Sequence, residues 1–187
     1  MAIKIYIDQG HNPTGPNAGA EGFGLREQDV NYAVGQYLAQ LLRDNGNFDV
    51  RLSRNTPEEV LGTSNATSLA RRVQEANSWP ADYFISIHCN ANVNPNINGT
   101  ECYVYRAFTT AYNLAEAILA GITDLVGTKD NGVRVNPSLY VLRRTAMPAV
   151  LVELAYLTNY NDNQLLRNEQ MAFAEGIYQG IVGFLGL

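Results

Sequence analysis

The sequence holds only two histidines, and each lies just past an apolar run. His11 follows Ile3-Lys4-Ile5-Tyr6-Ile7, and His88 follows Tyr83-Phe84-Ile85-Ser86-Ile87. Runs so rich in β-branched and aromatic residues read as strands. In an open parallel sheet, ligands gather beyond the carboxyl ends of the strands, so both imidazoles belong to one edge. Glu27 stands where the loop after the first strand gives way to a helical pattern, and a right-handed βα connection puts that junction on the same edge. Two neutral imidazoles and one carboxylate suit zinc and leave a position open for water. Glu153 sits in Ala149-Val150-Leu151-Val152-Glu153-Leu154, near the carboxyl end of another apolar strand. A bare charge is costly to bury there, so the group must be paired, metal-bound or protonated. Beside a metal it is available to take a proton from water.

Each of these residues also has a plainer reading. A histidine after a strand is often structural. Glu27 alone would be a helix-start carboxylate favoured by the helix dipole. Glu153 alone would pair with an arginine such as Arg143. Competing chemistries lack their motifs, since the chain has no HExxH, GxSxG or P-loop. A His88–Cys89 dyad fails because strand neighbours point to opposite faces. Cys102 with either histidine stays open, without local support.

The elements that must position these groups follow from periodicity. Between about Glu27 and Asn45, Val30, Ala33, Val34, Tyr37, Leu38, Leu41 and Leu42 recur at helical steps, and Gly46 is placed to end the helix. Phe48–Leu52, Tyr83–Ile87, Thr100–Tyr105 and Ala149–Leu154 read as further strands, and Tyr140–Leu142 as a short one. Helices are expected over Ser68–Asn77, Thr110–Val126 and about Gln164–Leu185. Gly127–Pro137 reads as a short loop that leaves the site open. Strands alternating with helices imply an α/β fold: a single domain with a twisted, mostly parallel sheet flanked by helices on both faces.

Several ordered segments resemble the zinc-dependent N-acetylmuramoyl-L-alanine amidases of the Amidase_3 family. Asp8-Gln9-Gly10-His11 is similar to the family's DPGH, and Gly24–Asn31 to its Gly-x-x-Glu-x-x-x-Asn. Leu69-x-x-Arg72-x-x-x-Ala76-Asn77 leads into Phe84–Ala91, close to FISIHxNA, and Pro148–Glu153 matches PAVLVE. The resemblance runs from Ile3 to the last helix and covers one catalytic domain, residues 1–187. It implies Zn2+ held by His11, Glu27 and His88, with Glu153 as the catalytic glutamate. The implied reaction is hydrolysis of the amide between the lactyl group of N-acetylmuramic acid and L-alanine. Gln9 replaces the usual proline, Asn12-Pro13 a Gly-Gly pair, and Ala155-Tyr156 a frequent Gly-Phe. Asp8 is placed either to orient a ligand histidine or to bond the nearby loop. Asn90 and Arg143 are candidates for touching substrate or tying loops. The other readings of the same fold are a non-catalytic wall-binding module and a zinc peptidase.

Composition narrows the partners. The formal net charge is -5 and the basic residues are scattered, so no face offers the counterion release that nucleic-acid binding needs. No stretch approaches a membrane span. Cys89 and Cys102 form no CxxC pair and read as buried thiols. The expected partner is peptidoglycan at the bacterial cell wall, met by a monomer. The opening residues do not read as a signal peptide, which suggests a mature or truncated secreted domain, or one released by lysis.

Overall fold

The two-residue period of a strand sorts its side chains onto two faces, and here the two faces differ sharply. The computed structural model describes residues 2–187; Met1, part of the expected domain, lies outside them. In chain order the elements are β1 (Ile3–Gln9), β2 (Glu21–Gly22), β3 (Leu25–Arg26), α1 (Glu27–Asn45), β4 (Phe48–Leu52), α2 (Asn65–Ser78) and β5 (Tyr83–Asn90). They continue with β6 (Thr100–Val104), α3 (Thr110–Val126), β7 (Asp130–Val135), α4 (Tyr140–Arg144), β8 (Ala149–Tyr156), α5 (Tyr160–Asn168) and α6 (Gln170–Leu185). Six strands form one sheet in the order β4-β1-β5-β8-β6-β7, and β2 pairs with β3 in a small hairpin. Every pairing in the large sheet is parallel except β6 with β8. The fold is thus a single α/β domain with helices on both faces, as its strand–helix alternation implies.

One face is largely apolar. Ile5, Ile7, Ile85, Ile87, Val150, Val152, Cys102 and Val104 pack there against α1, α3 and α6. Glycines let two of these helices meet backbone to backbone. A β-carbon at Gly176 would lie 2.7 Å from Ile122 Cα, and one at Gly180 2.7 Å from the Ile118 nitrogen. The opposite face carries a smaller cluster, in which Tyr6, Phe84 and Leu151 meet Val73, Ala76, Val141 and Leu142 from α2 and α4. On that face the next residues toward the carboxyl edge turn polar: Asp8 on β1, Ser86 and His88 on β5, Glu153 on β8.

Four expectations need correction. Tyr140–Leu142 lies in the short helix α4, not a strand; Val141 and Leu142 both bury, a pattern that periodicity cannot resolve in so short an apolar run. Gly127–Pro137 is not all loop: Asp130–Val135 adds the edge strand β7, disguised by its Asn131-Gly132 turn signal and its half-exposed side chains. The closing helix is two helices. Asn159 caps α5, its side chain accepting from the Asp162 amide, and the chain breaks at Glu169 before α6. Tyr37, counted in the apolar stripe of α1, points to solvent.

Candidate metal centre

His11, Glu27 and His88 converge, each offering a ligand atom within 4.8 Å of the others. Glu27 Oε1 lies 3.1 Å from His11 Nε2 and 2.9 Å from His88 Nδ1. Ligand atoms held ~2.1 Å from a tetrahedral ion stand roughly 3.4 Å apart, so the donor set fits a small divalent metal with little movement.

Each ligand is positioned by its own local device. Glu27 is the first residue of α1 and reaches over the sheet edge. Its carboxylate accepts from the amides of Ala20 (2.9 Å) and Cys89 (3.1 Å). Burial opposes its ionisation, but the hydrogen bonds and charges of the two histidines outweigh that and hold the carboxyl well below the usual range. A β-carbon on Gly19 would lie 2.7 Å from Glu27 Oε2, so the loop can pass only as glycine. His11 adopts φ 69, a left-handed conformation that a β-carbon disfavours. The loop around it enforces the strain. Arg72 Nη2 donates to the His11 carbonyl (2.6 Å), and the His11 ring bonds the Asn17 carbonyl through Nδ1 (3.1 Å). A carbonyl only accepts, so the proton sits on Nδ1 and Nε2 is left bare for a metal. The His88 ring fills the space a side chain at position 10 would need, because a β-carbon on Gly10 would overlap it.

Glu153 is the register partner of His88 on the neighbouring strand, ~4.8 Å away in the sheet direction. A register shift follows between His88 and Asn90, an irregularity of the kind that re-aims side chains beside sites. Glu153 Oε2 is buried without a protein partner. Burial pushes this carboxyl far above the ordinary range, and the charges of Glu27 and Glu101 add to the shift. No ion pair with Arg143 relieves it.

The remaining candidates fall differently. Asp8 touches neither imidazole. It is buried and bonded to Arg72 Nη1 (2.5 Å) and Ser86 Oγ (2.7 Å), so its influence on His11 runs through Arg72. Asn90 donates to Glu101 Oε1 (2.7 Å) and its side-chain oxygen accepts from Ala91. Arg143 is exposed, its guanidinium 6.0 Å from the Tyr140 ring, and it lines a hollow with Tyr105, Arg106 and Ala149. Ala149 begins β8 at the end away from Glu153, so Arg143 belongs to the other edge of the sheet. Cys89 and Cys102 are both buried, and the Cys89 thiol meets Asn31, not a histidine.

Sequence reasoning gave Arg72 and Glu101 no role. Glu101 is a buried carboxylate in a strand, the same signal that singled out Glu153. Arg72 lies in α2, and nothing local to its helix announces that it crosses to β1.

Residues 5–182 match the sequence pattern of the N-acetylmuramoyl-L-alanine amidases. The chain is 36% identical over 186 residues to N-acetylmuramoyl-L-alanine amidase LytC of Bacillus subtilis, covering 96% of this chain and 35% of that protein. It is 37% identical over 182 residues to the amidase CwlM of Bacillus licheniformis, covering 95% of this chain and 65% of that one. This chain is therefore shorter than the curated relatives it matches. The crystal structure of the N-acetylmuramoyl-L-alanine amidase from Clostridium difficile 630 superposes with a TM-score of 0.88 at 32% identity, covering 99% of this chain and 97% of that one.

Proposed function

The chain belongs to the N-acetylmuramoyl-L-alanine amidase family, and from that premise we propose that it hydrolyses the amide between the lactyl group of N-acetylmuramic acid and L-alanine of the stem peptide. The observation that carries the reading is the convergence of His11, Glu27 and His88, with Glu153 beside them in register. His11, Glu27 and His88 would hold zinc, the metal suited to two imidazoles and a carboxylate with one position open. Bound there, zinc would supply the positive charge that acidifies a water and favours the carboxylate form of Glu153.

Glu153 accepts the proton of the attacking water at its free Oε2. As the carbon–nitrogen bond breaks, it returns that proton to the alanine nitrogen, which leaves as a free amine. Asn17 keeps the His11 ring in the tautomer that presents Nε2. The Ala20 and Cys89 amides fix the Glu27 carboxylate, and Arg72 fixes the loop that carries His11. Every group in this sequence comes from one chain, so a monomer working on peptidoglycan at the cell wall suffices.

Glu153→Gln tests the reading. It should retain zinc by metal analysis and lose turnover by about 10²–10⁴. Wild-type activity in the variant would remove Glu153 from the mechanism, and full zinc occupancy in His11→Ala or His88→Ala would remove the ligand set. Mass analysis of digested peptidoglycan separates the alternatives. New L-alanine amino termini without new reducing sugars mark an amidase, and cuts between peptide residues a peptidase. Retention on the wall without cleavage marks a binding module.

A further inference from the structure

Glu101 and Glu153 are register partners on β6 and β8, so three acidic groups — Glu27, Glu153 and Glu101 — line one side of the site. Glu101 is buried. Its Oε1 is saturated by Asn90 Nδ2 (2.7 Å), Tyr103 Oη (2.9 Å) and Tyr156 Oη (3.2 Å). Its Oε2 lies 2.9 Å from Arg134 Nε, close but not aligned as a hydrogen bond. Arg134 is the only lysine or arginine on β5, β6, β7 and β8. Its side chain is 52% exposed. Nη1 and Nη2 have no ion-pair or hydrogen-bond partner among the described residues. Arg134 is the register partner of Tyr103, which places it on the same face as Glu101 and Glu153. A buried carboxylate with three further anchors thus fixes one edge of a guanidinium and leaves its outer fork toward solvent.

Building on the amidase reading, we propose that Arg134 binds a carboxylate of the substrate's stem peptide, on the residue that follows L-alanine. A guanidinium fork matches a carboxylate with two parallel hydrogen bonds. β7 lies two strands from β8, ~10 Å across the sheet. The Arg134 side chain reaches back to Glu101 on β6, one strand from Glu153; an extended peptide advances ~3.5 Å per residue, so a carboxylate one residue past the scissile amide comes within its reach. On β6, β7 and β8, Arg134 supplies the one lysine or arginine charge that an anionic stem peptide would meet. Glu101 is then a positioning residue that acts through Arg134.

The test is calorimetric binding to zinc-loaded Glu153→Gln. The probes are N-acetylmuramoyl-L-alanyl-D-glutamine, whose α-carboxylate is free, and its α-amide, N-acetylmuramoyl-L-alanyl-D-glutaminamide, so that the γ-carboxyl is an amide in both. Glu153→Gln should bind the free acid about tenfold more tightly, as expected for one charge-assisted contact. Adding Arg134→Gln, with folding checked by circular dichroism, should make the two probes bind alike. Equal binding of both probes by Glu153→Gln, or a preference that survives Arg134→Gln, overturns the proposal. Failure of the amidase reading shows separately, as no cleavage of either probe by the wild-type chain while the binding comparison still stands.

Discussion

The two faces of the sheet use the same strands to opposite ends. Under α1, α3 and α6, β1, β5, β8 and β6 present Ile, Val, Leu and Cys along the face. Under α2 and α4 they present Tyr6, Phe84 and Leu151 at one end, then Asp8, Ser86, His88, Glu153 and Glu101 at the other. The apolar face gains its stability from area removed from water. The polar face must satisfy buried charge piece by piece, and it leaves Glu153 unsatisfied. Stability and chemistry are therefore carried by different sides of one set of backbones.

The comparison can be broken at several points. The largest effect expected is that of Glu153→Gln, with turnover down about 10²–10⁴. Because the substitution removes a buried acid without a protein partner, thermal melting should not fall; a marked loss of stability would show that Glu153 also holds the fold. Next comes Arg72→Met, which leaves Asp8 buried and unpaired. Breaking a buried pair in this way costs about 3–5 kcal/mol, read by urea unfolding. The same pair predicts a pH dependence. Burial alone would raise the Asp8 carboxyl, but the charge of Arg72, aided by His88 and by hydrogen bonds from Arg72 and Ser86, holds it below its ordinary value. Its contribution is therefore present above the unfolded value of ~3.9 and is lost as pH falls through the lower folded value. Acid unfolding of Arg72→Met should show a weaker dependence in that window than the wild type.

On the apolar face, Ile85→Ala should cost about 2–5 kcal/mol while zinc content and specific activity of the folded protein persist. Loss of zinc there would mean that the two faces are not separable. The smallest effect tested is Gly10→Ala. Its β-carbon displaces the His88 ring, so zinc affinity should drop about 10–100-fold with the melting temperature little changed. Unchanged affinity would show that the ring has room to shift.

Much of this arrangement is legible in the sequence. Period-two runs give the central strands and, through topology, the edge where His11, Glu27 and His88 meet. The apolar setting of Glu153 marks it as a candidate without any fold. What escapes is whatever depends on partners distant in the chain. Asp8 pairs with a residue 64 positions away, and nothing in the β1 segment announces it. Arg143 reads as a candidate for touching substrate or tying loops, yet the eight-residue strand β8 starts between it and Glu153 and carries Glu153 to the other edge. β7 escapes because an edge strand buries little, and burial is what writes a pattern into sequence.

The glycines between α3 and α6 carry a consequence for how the chain folds. α6 is synthesised after every strand, so the sheet emerges with part of its apolar face uncovered. That face closes only when two helices far apart in sequence come to backbone contact, a long-range step whose loop must shut before any contact rewards it. Gly176 and Gly180 allow this closure without a side chain to be reordered or squeezed aside. The lid of the larger core behaves as a latch that engages late, and the width of its two tongues decides whether it engages at all.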